Sequence, residues 1–278
     1  MEVLRYTAFS ADPTGGNPAG VVLDATGAEE VTMAAIAAEI GFSETAFVQP
    51  REDGELDVRY FSPLMEVPFC GHATIATAVA YAQRHGVGEL RLHTKAGPIT
   101  VTTSVSADGH TIASLVSVPP RSMHISDANL AQLLSALHWP AEDLDPAMPP
   151  RAAYAGAWHP IVAAASRTRL ADLDYDAPTL AELMRDNDWA TVNLLWRESS
   201  TVYHARNPFP VGGVVEDPAT GAAAAALGGY LRELGLIDLP AVLTIHQGHD
   251  MGRPGTITIT VPAEPGTGIS VTGTAVPL

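Results

Sequence analysis

Along the chain, apolar positions gather in short runs separated by turn residues. Residues 3–9 read as a strand, and Thr14-Gly15-Gly16-Asn17-Pro18-Ala19-Gly20 as a turn-rich loop before Val21-Val22-Leu23 resumes extended structure. Met33, Ile36, Ala37 and Ile40 recur at helical spacing, with Thr32 as the expected cap and Gly41 as the terminator. Strand-like runs follow at 45–48, 56–61, 89–93 and 99–104, while 73–84 is apolar almost all round and predicts a buried helix. Val118-Pro119-Pro120-Arg121 breaks the pattern and is the candidate linker. Beyond it, amphipathic helices fit 129–137 and 179–185, and strands fit 191–196, 242–245, 256–261 and 269–276. Strands with few helices and no regular alternation predict an α+β fold. The linker divides the chain into an N-terminal lobe, 1–118, and a C-terminal lobe, 119–278, with the last strand a candidate to return to the first lobe.

An internal repeat supports two similar lobes. Glu66-Val67-Pro68-Phe69-Cys70-Gly71-His72-Ala73 aligns on Glu216-Asp217-Pro218-Ala219-Thr220-Gly221-Ala222-Ala223. Each motif enters an Ala-rich helix that ends in a Tyr, an Arg and a Gly, at 81–86 and 230–235. A duplication would set the two loops facing each other across a cleft.

The repeated loops carry the candidate chemistry. Gly71 and Gly221 each stand just before a helix, where a glycine lets a ligand approach the backbone and the first free N–H groups point outward. Two such N-termini would bind a carboxylate or an oxyanion without Arg or Lys. His72 sits at the first of them, suited to polarise a carbonyl or relay a proton, and equally suited to a capping or core role. Asp217 precedes the second, either as an ordinary cap or as an acceptor that orients a substrate amine or a partner His. Glu44 lies between a helix end and a strand; most glutamates there are simply solvated, but burial in the cleft would fit it for proton transfer.

Other sites fare less well. Cys70, His72, His204, His246 and His249 match no zinc spacing, so the histidines read as scattered surface residues and no metal is expected. No phosphate loop, dinucleotide fingerprint or nucleophile elbow is present, so the chemistry expected is cofactor-free acid–base work by side chains.

Composition narrows the partners. A formal net charge of −16 argues against nucleic acid, and no apolar run is long enough to span a bilayer uninterrupted. A single cysteine excludes an internal disulfide and, with no signal-peptide pattern, points to the cytoplasm.

Several blocks in order resemble the PhzF-like phenazine-biosynthesis family of the diaminopimelate-epimerase-like superfamily: Gly16-Asn17-Pro18-Ala19-Gly20-Val21-Val22, Phe42-Ser43-Glu44-Thr45-Ala46-Phe47, Arg59-Tyr60-Phe61-Ser62-Pro63, Val67 to Thr74, Glu216 to Gly221, Gln247-Gly248 and Gly252-Arg253-Pro254. The resemblance implies two pseudo-symmetric lobes, each a barrel-like, mostly antiparallel sheet around a central helix, and a homodimer. It implies that Glu44 transfers the proton, that His72 and Asp217 complete the catalytic set, and that Asn17, Gly71, Gly221 and Ala222 lie around a small anionic metabolite. Ala222 stands where the family usually has Ser, so the hydroxyl that would touch substrate is missing. The expected activity is a cofactor-independent isomerase, similar to the isomerase of trans-2,3-dihydro-3-hydroxyanthranilate. The alternatives are an amino-acid racemase or epimerase and a non-catalytic acid-binding protein. Two-thiol racemisation is excluded, because the paired motif positions hold Cys70 and Thr220 and the chain has no second cysteine.

Overall fold

The computed structural model describes residues 1–278 as two compact units, Met1–Val116 with Thr272–Leu278, and Ser117–Val271. The first unit contains strands β1 (Leu4–Ala8), β2 (Asn17–Val22), β3 (Thr45–Pro50), β4 (Leu56–Phe61), β5 (Glu66–Val67), β6 (Glu89–Thr94), β7 (Gly97–Val105) and β8 (Thr111–Val116), with helices α1 (Glu30–Ile40) and α2 (Gly71–His85). The second holds β9 (Arg121–His124), β10 (Arg151–Tyr154), β11 (Trp158–Ala163), β12 (Asn193–Arg197), β13 (Val202–Pro208), β14 (Glu216–Asp217), β15 (Ala241–Gln247) and β16 (Gly255–Val261). Its helices are α3 (Asp127–Ala136), α4 (Arg167–Ala171), α5 (Ala177–Asp186) and α6 (Gly221–Glu233), and β17 (Ser270–Pro277) ends the chain.

In the first unit the ladder runs β1–β2–β3–β4–β6–β7–β8–β17 and returns to β1, closing an eight-stranded barrel. Only β2–β3 and β4–β6 pair in parallel; the other pairs with a stated register are antiparallel. The second unit repeats the order and sense: β9–β10–β11 antiparallel, β11–β12 parallel, β12–β13 antiparallel, β13–β15 parallel, β15–β16 antiparallel. Beyond β16, the Ser117 N–H donates to the Ile269 carbonyl just ahead of β9. Each unit also carries a two-residue strand, β5 or β14, hydrogen-bonded to the strand before it and followed by the helix that opens with the repeated glycine. The first unit is therefore a closed mixed barrel, and the second repeats its strand order and sense from β9 to β16.

The central helices are buried because their sequences are small and apolar on every face. In α2, residues 72–80 are buried without a break, and the helix lies against β1, β2, β3, β7 and β8. In α6, residues 223–231 are buried, and Gly228 and Gly229 permit the approach to the wall. A Cβ at Gly229 would lie 2.3 Å from Pro120, and one at Gly228 would lie 3.0 Å from Ile259. The amphipathic helices pack outside. Met33 and Ala37 of α1 cover Val22, Phe47 and Phe61, and α3 and α5 bury Leu133, Leu180, Leu183 and Met184 against Val162 and Leu194.

Three local expectations change. The α1 helix begins at Glu30, so Thr32 lies within its first turn rather than capping it, while Gly41 ends it in the left-handed conformation, φ 71°. The segment expected to be a loop through Gly20 is already strand from Asn17, because β1 and β3 pair with it on either side. Pro18 stands near the start of that strand, and Gly20 is required there: a Cβ would sit 2.5 Å from the Thr45 hydroxyl. Strands β8, β10, β11 and β13 have no counterpart among the segments picked from the sequence. Their burial alternates weakly or is continuous, as in β11, so period-two patterning is absent.

Candidate active site

Glu44 is placed by the backbone around it. Gly41 turns the chain out of α1, and the Gly20 N–H of β2 donates to the Glu44 carbonyl at 3.1 Å, one residue before β3 starts. Its side chain is 19% exposed, neither solvated nor sealed. Two groups from the α2 N-terminus meet it. The Cys70 thiol lies 3.4 Å from Glu44 Oε2, and His72 Nε2 lies 3.4 Å from the same oxygen. Cys70 and His72 are both buried, with Sγ 3.4 Å from Nδ1.

The neighbours of His72 define its tautomer. Asn17 Nδ2, a donor, stands 3.2 Å from Nδ1, which must therefore accept. In the neutral ring the proton is then on Nε2, which has Ser43 Oγ at 3.3 Å and Glu44 Oε2 at 3.4 Å as acceptors. The imidazole thus presents its N–H to the carboxylate. Asn17, Glu44 and His72, three residues expected at the site, are brought together. Ser43 and Cys70 join them without having been assigned roles.

Gly71 opens α2. A Cβ built there meets nothing within 4 Å, so packing is not what demands glycine at this position. Neither α2 nor α6 has a side-chain cap at its N-terminus, whereas Ser126, Ser166 and Asp176 cap α3, α4 and α5. The first-turn amides of α2 and α6 are therefore not taken by a capping side chain.

In the second unit, Asp217 belongs to β14 and the cap position of α6 is Thr220, so Asp217 is not the helix cap. Its carboxylate accepts the Thr220 hydroxyl at 2.6 Å. Buried Gln247 clamps this loop: its Oε1 accepts the Thr220 N–H at 3.0 Å, and its Nε2 donates to the Asp217 carbonyl at 2.7 Å and to Thr220 Oγ1 at 2.9 Å. Gly248, φ 80°, has the Pro218 carbonyl 2.7 Å from where a Cβ would be. Gly221 is buried and Ala222 is half-buried at the start of α6.

The acidic residue that opens each repeat is a strut. Arg59 donates to both oxygens of Glu66, at 2.8 and 2.9 Å, and Arg206 donates in the same way to both oxygens of Glu216. Each pair ties β4 to β5 or β13 to β14, and so anchors the loop that follows. The signal was an Arg upstream of each motif, at different distances, which spacing alone does not expose.

One donor set brings three ligand atoms within metal-binding reach. Glu44, Cys70 and His72 offer carboxylate, thiol and imidazole atoms within 4.8 Å of one another. The histidines expected to be scattered are instead gathered: the rings of His204 and His246 are 5.2 Å apart, and those of His246 and His249 are 5.3 Å apart. Parallel pairing of β13 with β15 sets His204 opposite His246, a neighbourhood invisible in sequence spacing.

No helix is long and apolar enough to cross a membrane. An uncharacterized isomerase, YfhB, of Bacillus subtilis (strain 168) is 32% identical, over 99% of this chain and 96% of its own length. The trans-2,3-dihydro-3-hydroxyanthranilate isomerase of Pseudomonas fluorescens is 33% identical over 89% of this chain and 85% of its own. A crystal structure of a Bacillus anthracis PhzF-family phenazine biosynthesis protein superposes with a TM-score of 0.89 at 28% identity, covering 100% of this chain and 98% of that one. The phenazine biosynthesis-like family profile matches residues 6–278, and the chain belongs to that family.

Proposed function

We propose that this isomerase moves a proton between carbon atoms of a small carboxylate metabolite without a cofactor, with Glu44 as the shuttle. The observation that carries the reading is the Glu44 carboxylate, partly sheltered, with a thiol and an imidazole each 3.4 Å from one oxygen. In the proposed cycle Glu44 takes a proton from one substrate carbon and returns it to another. The His72 N–H, backed by Asn17 on the opposite nitrogen, steadies the carboxylate and the charge that develops on substrate. The uncapped amides after Gly71 supply donors for a substrate carboxylate. In the second unit, Asp217, held by Thr220, offers an acceptor, and Gly221 and Ala222 open α6 without the hydroxyl usual in the family.

Relatives named as isomerases support the class, and the Pseudomonas fluorescens enzyme makes trans-2,3-dihydro-3-hydroxyanthranilate the first substrate to try. A two-thiol racemase does not fit, because Cys70 is the chain's only cysteine. The composition and the family further suggest a cytoplasmic homodimer.

The test is Glu44→Gln, nearly isosteric and unable to carry the proton. Its kcat should fall by about 10²–10⁴-fold while the substrate still binds. A folded Glu44→Gln enzyme within a few-fold of wild type would remove Glu44 from the role and move it to His72 or Asp217. Turnover that survives exhaustive chelation is also expected; its loss on chelation would mean that a metal takes part in the reaction.

A further inference from the structure

We propose that His204, His246 and His249 bind one divalent transition-metal ion of the zinc class, using none of the residues assigned to proton transfer. His204 on β13 and His246 on β15 are directly opposite in a parallel ladder, so both rings leave the same face. His249 follows two residues after the end of β15. The three ring centroids are 5.2, 5.3 and 6.4 Å apart. Imidazoles bound to one tetrahedral ion, with metal–nitrogen bonds of about 2.0–2.1 Å, have centroids about 5 Å apart. Two of the three spacings match that value; His249, exposed just past β15, must turn toward His204 to close the third.

Glu198 Oε2 lies 2.5 Å from His204 Nε2, which makes that nitrogen the donor and leaves a lone pair on Nδ1. Nδ1 of His204 is buried and has no hydrogen-bond partner, and the same holds for Nδ1 of His246. A carboxylate on one ring nitrogen with the other left bare is the arrangement that orients a metal-ligating histidine.

The nearest cation, Arg167, is engaged by both oxygens of Asp250 at 2.8 and 2.9 Å. Glu198 supplies the negative charge beside the rings, and Trp196 walls His204 at 5.3 Å.

The experiment is titration of chelator-treated full-length protein with zinc alone, read by calorimetry and by metal analysis after gel filtration. Wild type should take up one equivalent at this cluster. His204→Gln and His246→Gln should each weaken uptake at least tenfold, and Glu198→Gln by about 10–100-fold with unchanged stoichiometry. Cys70→Ser separates this site from the thiol-containing donor set and should leave the histidine-dependent equivalent intact. Cobalt should report the same site by a visible spectrum that lacks thiolate charge transfer. No zinc uptake by wild type, or uptake unchanged in folded His204→Gln and His246→Gln and lost in Cys70→Ser, overturns the proposal.

Discussion

Replacing Glu216 by Gln tests whether the repeated Arg–Glu pair is a structural strut and how burial sets its worth. Arg206 is 10% exposed and Glu216 is 4% exposed, so both charges have left water. Arg206 also donates to the Ala171 carbonyl, which leaves it little freedom to turn outward. Gln keeps one acceptor for the guanidinium but turns an amide N–H₂ toward it and removes the charge. Breaking a buried pair costs about 3–5 kcal/mol, because the remaining charge is uncompensated. Since Gln retains one hydrogen bond, the lower end, about 3 kcal/mol, is expected. The equivalent change Glu66→Gln should cost about 1 kcal/mol or less, because Arg59 is 31% exposed and also reaches Glu30 at 2.7 Å. The difference, about 2 kcal/mol, is roughly thirty-fold in the folding equilibrium. Removing both charges at once, Arg206→Met with Glu216→Met, should recover most of the loss, since matched apolar replacement of a buried pair is often neutral or better. Urea unfolding is the assay. Trp139, Trp158, Trp189 and Trp196 all lie in the second unit and are all the tryptophans present, so their fluorescence follows that unit while circular dichroism follows both. A Glu216→Gln variant less than 1 kcal/mol below wild type, or no worse than Glu66→Gln, would refute the reasoning.

Other outcomes follow from single residues. Gly248→Ala puts a side chain at φ 80° with its Cβ 2.2 Å from the Arg253 carbonyl, so it should cost at least the ~1–3 kcal/mol of a strained backbone and, by moving Pro218, lower turnover as well. His159 is fully buried, and desolvation pushes its pKa down from 6.5 to about 4. Its depressed folded value means the unfolded chain takes up the proton first, so stability is complete above about pH 6.5 and falls toward pH 4, by about 3 kcal/mol at most. Plotting the urea midpoint of the second unit against pH should give a shallower fall for His159→Gln; an unchanged slope would remove His159 as the cause.

Elements whose pattern is local were legible in the chain. Burial of α2 follows from small apolar residues on all its faces, and the end of α1 from a glycine that alone adopts the left-handed turn cheaply. The two repeat motifs announced two helices entered through equivalent loops, and the topology repeats accordingly. What depends on partners distant in sequence was not legible. Asn17 to Gly20 has the composition of a turn, yet becomes strand because β1 and β3 supply hydrogen bonds on either side. The Cys70 thiol reaches Glu44 only because α2 starts where β3 begins its run, 26 positions away. Arg59 and Arg206 show their function only when β5 and β14 fold back on the preceding strands. The histidines illustrate the limit most plainly: 42 residues separate His204 from His246 in the chain, and a parallel register makes them neighbours. Sequence by itself determined backbone preferences and burial, because these act within a turn or two. Tertiary structure alone decided which side chains meet, because strand pairing joins residues whose separation carries no periodic signal.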